Sequence, residues 1–123
     1  ALRVVKQVNQ PNVGLTLALF HELAADQEPD LPQIIEEVAP HLFVVTISGT
    51  DRKEQGQPAD FSRMIRPLGQ GTFDVYGVVE KLEAVGFTGP VGLLCYGLKG
   101  DPEVHLRESM ATWKSYCGRL AAE

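Results

Sequence analysis

The sequence has little of what marks a membrane, secreted or nucleic-acid-binding protein. It contains no apolar run of the roughly 20 residues needed to cross a bilayer. Its first residues are not a basic segment followed by an apolar stretch, as a secretory leader would be. Acidic residues (16) outnumber Lys and Arg (11), and the net charge is −5. That balance argues against binding to nucleic-acid phosphates or to an anionic membrane surface.

Cysteine is also scarce. The two cysteines, Cys95 and Cys117, match no zinc-binding or redox spacing. Two thiols without such a motif favour a reducing compartment, so we expect a cytoplasmic location.

The chain has enough hydrophobic residues to form one core. Hydrophobic residues make up 44% of its 123 residues, which predicts a single ordered domain over 1–123. Three short apolar runs, at 13–20, 42–47 and 90–96, are typical of strands that are buried on both faces of a parallel sheet.

Amphipathic segments separate these runs. Residues 1–10 have the spacing of a helix, and Asp30 is predicted to cap a second helix, which Pro40 ends. A third helix is predicted to start at Thr72 or Asp74 and to end before Gly86.

The last helix is predicted to start at Asp101-Pro102, with Asp as its N-cap and Pro in its first turn. It presents one apolar stripe, which we expect to face the core: Leu106, Met110, Trp113, Cys117 and Leu120. The intervening stretch 48–71 is predicted to be a long polar loop, a length typical of functional or mobile segments.

The resulting order, α-β-α-β-α-β-α, predicts an α/β fold with parallel strands and right-handed crossovers. A doubly wound sheet would usually carry a glycine-rich phosphate loop after its first strand. The sequence Phe20-His21-Glu22-Leu23 stands there instead, which favours about three βα units of a (β/α)8 barrel. Three strands cannot close such a barrel, so a missing barrel half or self-association is expected.

Active-site groups of β/α barrels follow the carboxyl ends of the strands. The candidates there are His21 and Asp51 for catalysis, and His21, Arg52, Tyr96 and Lys99 for substrate binding. An imidazole near neutrality can relay a proton or bind a sugar hydroxyl. The plainer alternatives are a loop histidine for His21, a turn with a solvated ion pair for Asp51-Arg52, and an ordinary turn for Lys99.

Several blocks of the sequence resemble the C-terminal part of the xylose-isomerase-like barrel family. That family includes sugar phosphate isomerases and epimerases, tagatose-type epimerases and endonuclease IV. The blocks are PNVGLTLALFHEL, LFVVTISGTD, IRPLGQGTFDVYGVVEKLEAVGFTGPVGLLCYG and a closing Ser-Met-x-x-Trp helix. The resemblance implies that the three strands are the sixth, seventh and eighth of the barrel.

The resemblance also implies a divalent metal such as manganese, held by carboxylates and a histidine at the strand ends. The ligand positions covered here fall on Ala18, Thr46 and Leu94, which do not support such a site. His21 matches the histidine of the family's Asp-Thr-x-His motif and would contact substrate. We therefore expect no conventional metal site in this chain, and the cofactor stays unknown.

Three hypotheses follow. The first is a sugar phosphate isomerase or epimerase-like barrel segment with a divergent site, acting on a small carbohydrate. The second is a catalytically silent carbohydrate-binding or scaffold barrel. The third, DNA repair as in endonuclease IV, is disfavoured by the acidic charge and the missing zinc ligands.

Overall fold

The computed structural model describes residues 1–25 and 28–123. The helices and three strands follow one another in this order: α1 (Leu2–Val8), β1 (Leu15–Ala18), α2 (Leu19–Ala24), α3 (Leu31–Val38), a 3-10 turn (Ala39–His41), β2 (Leu42–Ile47), α4 (Phe61–Met64), α5 (Val75–Ala84), β3 (Val91–Leu93) and α6 (Pro102–Ala122). The predicted α/β class and the three strands are confirmed.

The three strands form one parallel sheet in the order β1-β2-β3. Ala18 pairs with Thr46, and Ile47 pairs with Leu93. Because connections between parallel strands need a crossover, the helices lie against the sheet. The arrangement is that of a TIM-barrel segment, as the sequence predicted.

The two faces of the sheet differ in burial. Successive side chains of a strand point to opposite faces, so Val45 and Ile47 share one face, and both are buried in the core. Ile35 of α3 and Val78 of α5 belong to the same apolar cluster. On the opposite face Thr16 is exposed, so the side that would line a closed barrel is partly open.

Aspartates start the three longer helices that were predicted from their caps. Asp30 accepts a hydrogen bond from the Gln33 N–H at 3.2 Å, and Asp74 accepts one from the Gly77 N–H at 3.1 Å. Asp101 accepts one from the Glu103 N–H at 2.9 Å. Of the two caps considered for α5, Asp74 is therefore the correct one.

The end of β1 and the long loop differ from the expectation. β1 is shorter than the apolar run, because α2 begins directly after Ala18 and takes Leu19 and Phe20 into a helix. The loop 48–71 is not irregular throughout. It contains α4, which Asp60 caps, and an antiparallel bridge between Gly49 and Arg66.

The predicted core stripe of α6 was wrong for three of its five members, since Leu106, Met110 and Cys117 are exposed. A polar contact sets the orientation of the helix. The buried Ser109 hydroxyl accepts a hydrogen bond from the Leu68 N–H at 3.0 Å. The Thr112 hydroxyl donates one to the Leu68 carbonyl, also at 3.0 Å. These bonds turn Ser109 and Thr112 toward the loop and leave Leu106 and Met110 beside the sheet edge.

Candidate functional site at the carboxyl ends of the strands

Three loops meet where the parallel strands end. Phe20 and His21 follow β1 within α2, Phe61 belongs to the loop after β2, and Tyr96 follows β3. In β/α barrels this edge carries the active site, because the loops converge there and the strands fix the positions of the loop ends. The candidate site is therefore built from this edge.

The rings at this edge form a continuous contact series, which we call the aromatic row: His21, Phe20, Phe61 and Tyr96. His21 meets Phe20 edge-on at 5.2 Å between centroids, and Phe20 stacks on Phe61 at 5.1 Å. Phe61 meets Tyr96 edge-on at 5.7 Å. These are the separations at which aromatic pairs attract.

Exposure divides the aromatic row into a base and a surface. Phe20 is buried, whereas His21 is exposed, Phe61 is 49% exposed and Tyr96 is 69% exposed. An exposed ring that is held by a neighbouring ring offers solvent an apolar surface in a fixed place. The row can therefore receive a ligand that has an apolar face and polar edges.

Asp51, the other predicted catalytic residue, lies near the start of the loop after β2 and is buried. Its carboxylate accepts hydrogen bonds from Arg63 Nε and Arg66 Nη1, each at 3.2 Å, and from the Thr72 N–H at 3.1 Å. Burial alone would raise the pKa of Asp51. The hydrogen bond from Arg63, the charge of Arg66 and the Thr72 N–H outweigh burial and hold this pKa below its ordinary value of 3.8.

The two predicted substrate-binding cations have other neighbours. Arg52 Nη1 lies 2.6 Å from Glu28 Oε1, and its guanidinium lies 5.1 Å from the centre of the Phe73 ring. Lys99 is an exposed residue of the turn before α6, and its carbonyl oxygen lies 2.5 Å from His105 Nε2. Thus the structure brings His21 and Tyr96 into the aromatic row and gives Asp51 and Arg52 partners of their own.

The ligand positions that the family resemblance implies are neighbours in the sheet. Ala18 pairs with Thr46, Thr46 pairs with Gly92, and Leu94 lies two residues further along on the same face. Alanine and leucine carry no ligand atom, and a threonine hydroxyl is a poor ligand on its own. Over residues 1–25 and 28–123, no three His, Cys, Asp or Glu side chains gather into a potential metal site. The side chains of Ala18, Thr46 and Leu94 therefore do not fit a divalent metal.

Phe61 belongs to the site but is not predicted by the sequence pattern. It lies in a stretch read as a polar loop, where a single phenylalanine has no periodic partners. The available signal was Asp60-Phe61-Ser62, a capping aspartate directly before a large apolar residue. Asp60 accepts hydrogen bonds from the N–H and the hydroxyl of Ser62, and so starts the short helix that presents Phe61.

Comparison with known proteins agrees with this architecture. A mannonate dehydratase from Halalkalibacterium halodurans is 32% identical over 89 residues, which are 72% of this chain and 24% of that protein. The chain spans about a quarter of the length of the curated relatives it matches.

Several solved structures share the fold, including the following two. The xylose isomerase domain protein from Planctomyces limnophilus superposes with a TM-score of 0.74 at 14% identity, over 99% of this chain and 42% of the other. The IOLI protein, described with a bound zinc atom, gives a TM-score of 0.58 at 26% identity, over 97% of this chain and 41% of the other.

Residues 1–116 match the profile of a single family over nearly the whole chain. The matched stretch includes all three strands and every member of the aromatic row. The chain belongs to the xylose isomerase-like TIM barrel family.

Proposed function

We propose that this chain forms one side of a carbohydrate-binding face in a xylose isomerase-like barrel, and that the aromatic row contacts the sugar. The observation that carries the proposal is the contact series from His21 to Tyr96, at the edge where barrels of this kind bind ligands. A sugar presents C–H groups on one face and hydroxyls around its rim. Phe61 and Tyr96 supply a surface for the first, while the His21 imidazole and the Tyr96 hydroxyl can bond the second.

The proposed ligand is a small carbohydrate or sugar acid. Mannonate is a useful first probe because two curated relatives are named as mannonate dehydratases. The −5 net charge of the chain gives no general attraction for an anion, so recognition has to come from local contacts rather than from a long-range field.

The direct test is a two-dimensional amide NMR titration of the purified chain with D-mannonate, D-fructose and D-xylose in turn. We expect saturable shifts at Phe20, His21, Phe61 and Tyr96, with little change in α1 and α6. If none of the three sugars produces saturable shifts at the aromatic row in the millimolar range, carbohydrate binding by this surface is ruled out.

Isomerisation or epimerisation of a sugar or sugar phosphate is the second candidate function. It is favoured by the family and by the exposed imidazole of His21, which follows β1 at the strand ends. His21 would move the proton between adjacent sugar carbons. Incubation of ketose and aldose substrates in deuterated water tests this: proton exchange that disappears in His21→Gln supports it, and binding without exchange supports a silent barrel.

The proposal also includes the rest of the barrel. Residues 1–123 would form a single partial domain, to whose β3 edge further βα units are added. An apolar groove of about 450 Å³ lies between β3 and α6 and supports this arrangement. Val91 and Leu93 line one wall, and Leu106, Met110 and Trp113 line the other. Leu106 and Met110 are more than half exposed, which is unfavourable unless another element covers them.

We also propose that the protein is cytoplasmic. Across the described residues, no helix combines the length and the apolar character that a membrane crossing needs. Both cysteines, Cys95 and Cys117, are exposed free thiols. Since free thiols persist most readily where the surroundings are reducing, they support the proposed cytoplasmic location.

A further inference from the structure

The loop after β2 is organised around one carboxylate. Two arginine side chains and one backbone N–H, from Arg63, Arg66 and Thr72, converge on Asp51. The main chain adds to this: the Asp51 N–H donates to the Arg63 carbonyl at 2.8 Å, and Gly49 exchanges two hydrogen bonds with Arg66 at 3.0 and 2.9 Å. Arg63, Arg66 and Thr72 are thus bonded to residues 49–51 at the start of the loop.

These ties determine where the short helix α4 lies. Arg63 belongs to α4, and its side chain and carbonyl are both bonded to Asp51. Phe61 precedes Arg63 by two residues in the same helical turn. A displacement of Arg63 therefore displaces Phe61 relative to Phe20 and Tyr96, which come from other loops.

The carboxylate has little capacity left for chemistry. Both of its oxygens accept hydrogen bonds within the protein, and two positive charges keep it ionised. A general base needs a free lone pair within reach of the proton that it removes. Asp51 is buried, whereas Phe61 and Tyr96 of the aromatic row are exposed.

We infer that Asp51 is a positioning residue, which fixes α4 so that Phe61 contacts Phe20 and Tyr96. It would thereby act on the sugar only through the ring of Phe61, in place of the proton-transfer role expected from the sequence. The consequence for affinity rests on the proposed function. The consequence for the ring contacts does not, so the two can be measured separately.

The test compares Asp51→Asn with the wild-type chain in two measurements. The first records nuclear Overhauser contacts between the Phe61 and Tyr96 rings without any sugar. The second records the affinity for D-mannonate. Asparagine keeps the shape and can still accept from Thr72, but it loses the charge that holds both arginines. We expect the ring contacts to disappear and the affinity to fall about tenfold, because a misplaced contact group loses most of its binding energy.

Asp30→Asn is the matched control, since this aspartate caps α3 by accepting a hydrogen bond from the Gln33 N–H and lies outside the loop after β2. It should leave the ring contacts and the affinity unchanged. If Asp51→Asn does not fold, Arg63→Gln removes the ion pair between Arg63 and Asp51 from the other side. The Arg63 side chain is 58% exposed, and its substitution should give the same two results.

Two outcomes overturn the inference. One is a folded Asp51→Asn chain that keeps the contacts between Phe61 and Tyr96. The other is a loss of affinity while those contacts persist, which would mean that Asp51 meets the sugar itself. If the wild-type chain binds no sugar, the proposed function fails, and the ring contacts alone decide the positioning role.

Discussion

Phe61 stacks on Phe20, with 5.1 Å between ring centroids and 29° between ring planes. Phe20 is buried and Phe61 is 49% exposed, so the stacked pair extends from the core to the surface of the candidate site. We predict that Phe61→Ala lowers affinity for the bound sugar about tenfold, the usual effect of removing an aromatic contact at the centre of a binding surface. Isothermal titration with the sugar found by NMR measures the change.

Phe43→Ala is the control for this substitution. Phe43 is 44% exposed, close to the value for Phe61, but it lies near the amino end of β2, away from the aromatic row. The two variants therefore remove the same kind of side chain at similar exposure. An equal loss of affinity in both would show that the effect is general destabilisation and would contradict the assignment of the site.

Much of the fold could be predicted from local chemistry. Apolar runs between turn residues located all three strands, and the 42–47 run coincides with β2. Asp30 and Asp101 were identified as caps because a carboxylate before a helix satisfies free N–H groups, whatever the rest of the chain does. Such signals depend on a few neighbouring residues, so they are already visible in the sequence.

The candidate site could be predicted only in part, because it depends on contacts between distant residues. His21 and Tyr96 follow apolar runs and were identified from that position alone. The place of Phe61 depends on the Asp51 pairs with Arg63 and Arg66, which no periodic pattern reveals. The orientation of α6 likewise depends on Ser109 and Thr112 bonding to the backbone of Leu68. The catalytic role of His21 stays a prediction, and for Asp51 we infer a positioning role instead of the catalytic one expected from the sequence.

The groove beside β3 gives a prediction about association. If Met110 is covered by another βα unit, the isolated chain should associate with itself through this apolar surface. Met110→Glu should then weaken self-association at least about tenfold, since a charge would be buried without a partner. Sedimentation velocity over a range of concentrations measures the dissociation constant.

Val104→Glu controls for the added charge on the same helix. Val104 is 44% exposed and is not among the residues that line the groove. It should leave self-association as it is in the wild-type chain. A wild-type chain that stays monomeric at high concentration would contradict the coverage of the β3 edge altogether.

Gly71 gives a prediction about the loop that carries the site. Its φ is 98°, and a Cβ atom there would lie 2.1 Å from the Thr50 carbonyl oxygen. Gly71→Ala should therefore lower the free energy of unfolding by about 2–4 kcal/mol, through the left-handed backbone and the steric clash together. Urea denaturation measures the change.

Gly56→Ala separates these two causes. Gly56 also has a positive φ, 76°, but no atom lies within 4 Å of the position that its Cβ would take. It should lose only the backbone contribution of about 1 kcal/mol. If the free energy of unfolding falls equally in both variants, the close approach of Gly71 to Thr50 does not contribute to the destabilisation.

Acid should weaken the contribution of the Asp51 carboxylate to the stability of the fold. The pKa of Asp51 is lower in the folded chain than its ordinary value of 3.8, so the unfolded chain binds a proton more readily. The stabilisation from this carboxylate is therefore complete above about pH 4 and declines as the pH falls through the folded pKa. At pH 7, Asp51→Asn should lower the free energy of unfolding by about 1.5–3 kcal/mol, the range for hydrogen bonds to a charged group.

As the pH falls below about 4, the unfolded wild-type chain takes up a proton on this carboxylate more readily than the folded chain, so the difference between the wild-type chain and Asp51→Asn should shrink. Urea unfolding of both proteins between pH 7 and pH 2.5 measures this difference at each pH. Glu108→Gln, which removes one exposed carboxylate from α6, provides the baseline for a change of one charge. A difference for Asp51→Asn that stays constant down to pH 2.5 would show that its charge does not stabilise the loop. The two arginines would then hold α4 by packing alone.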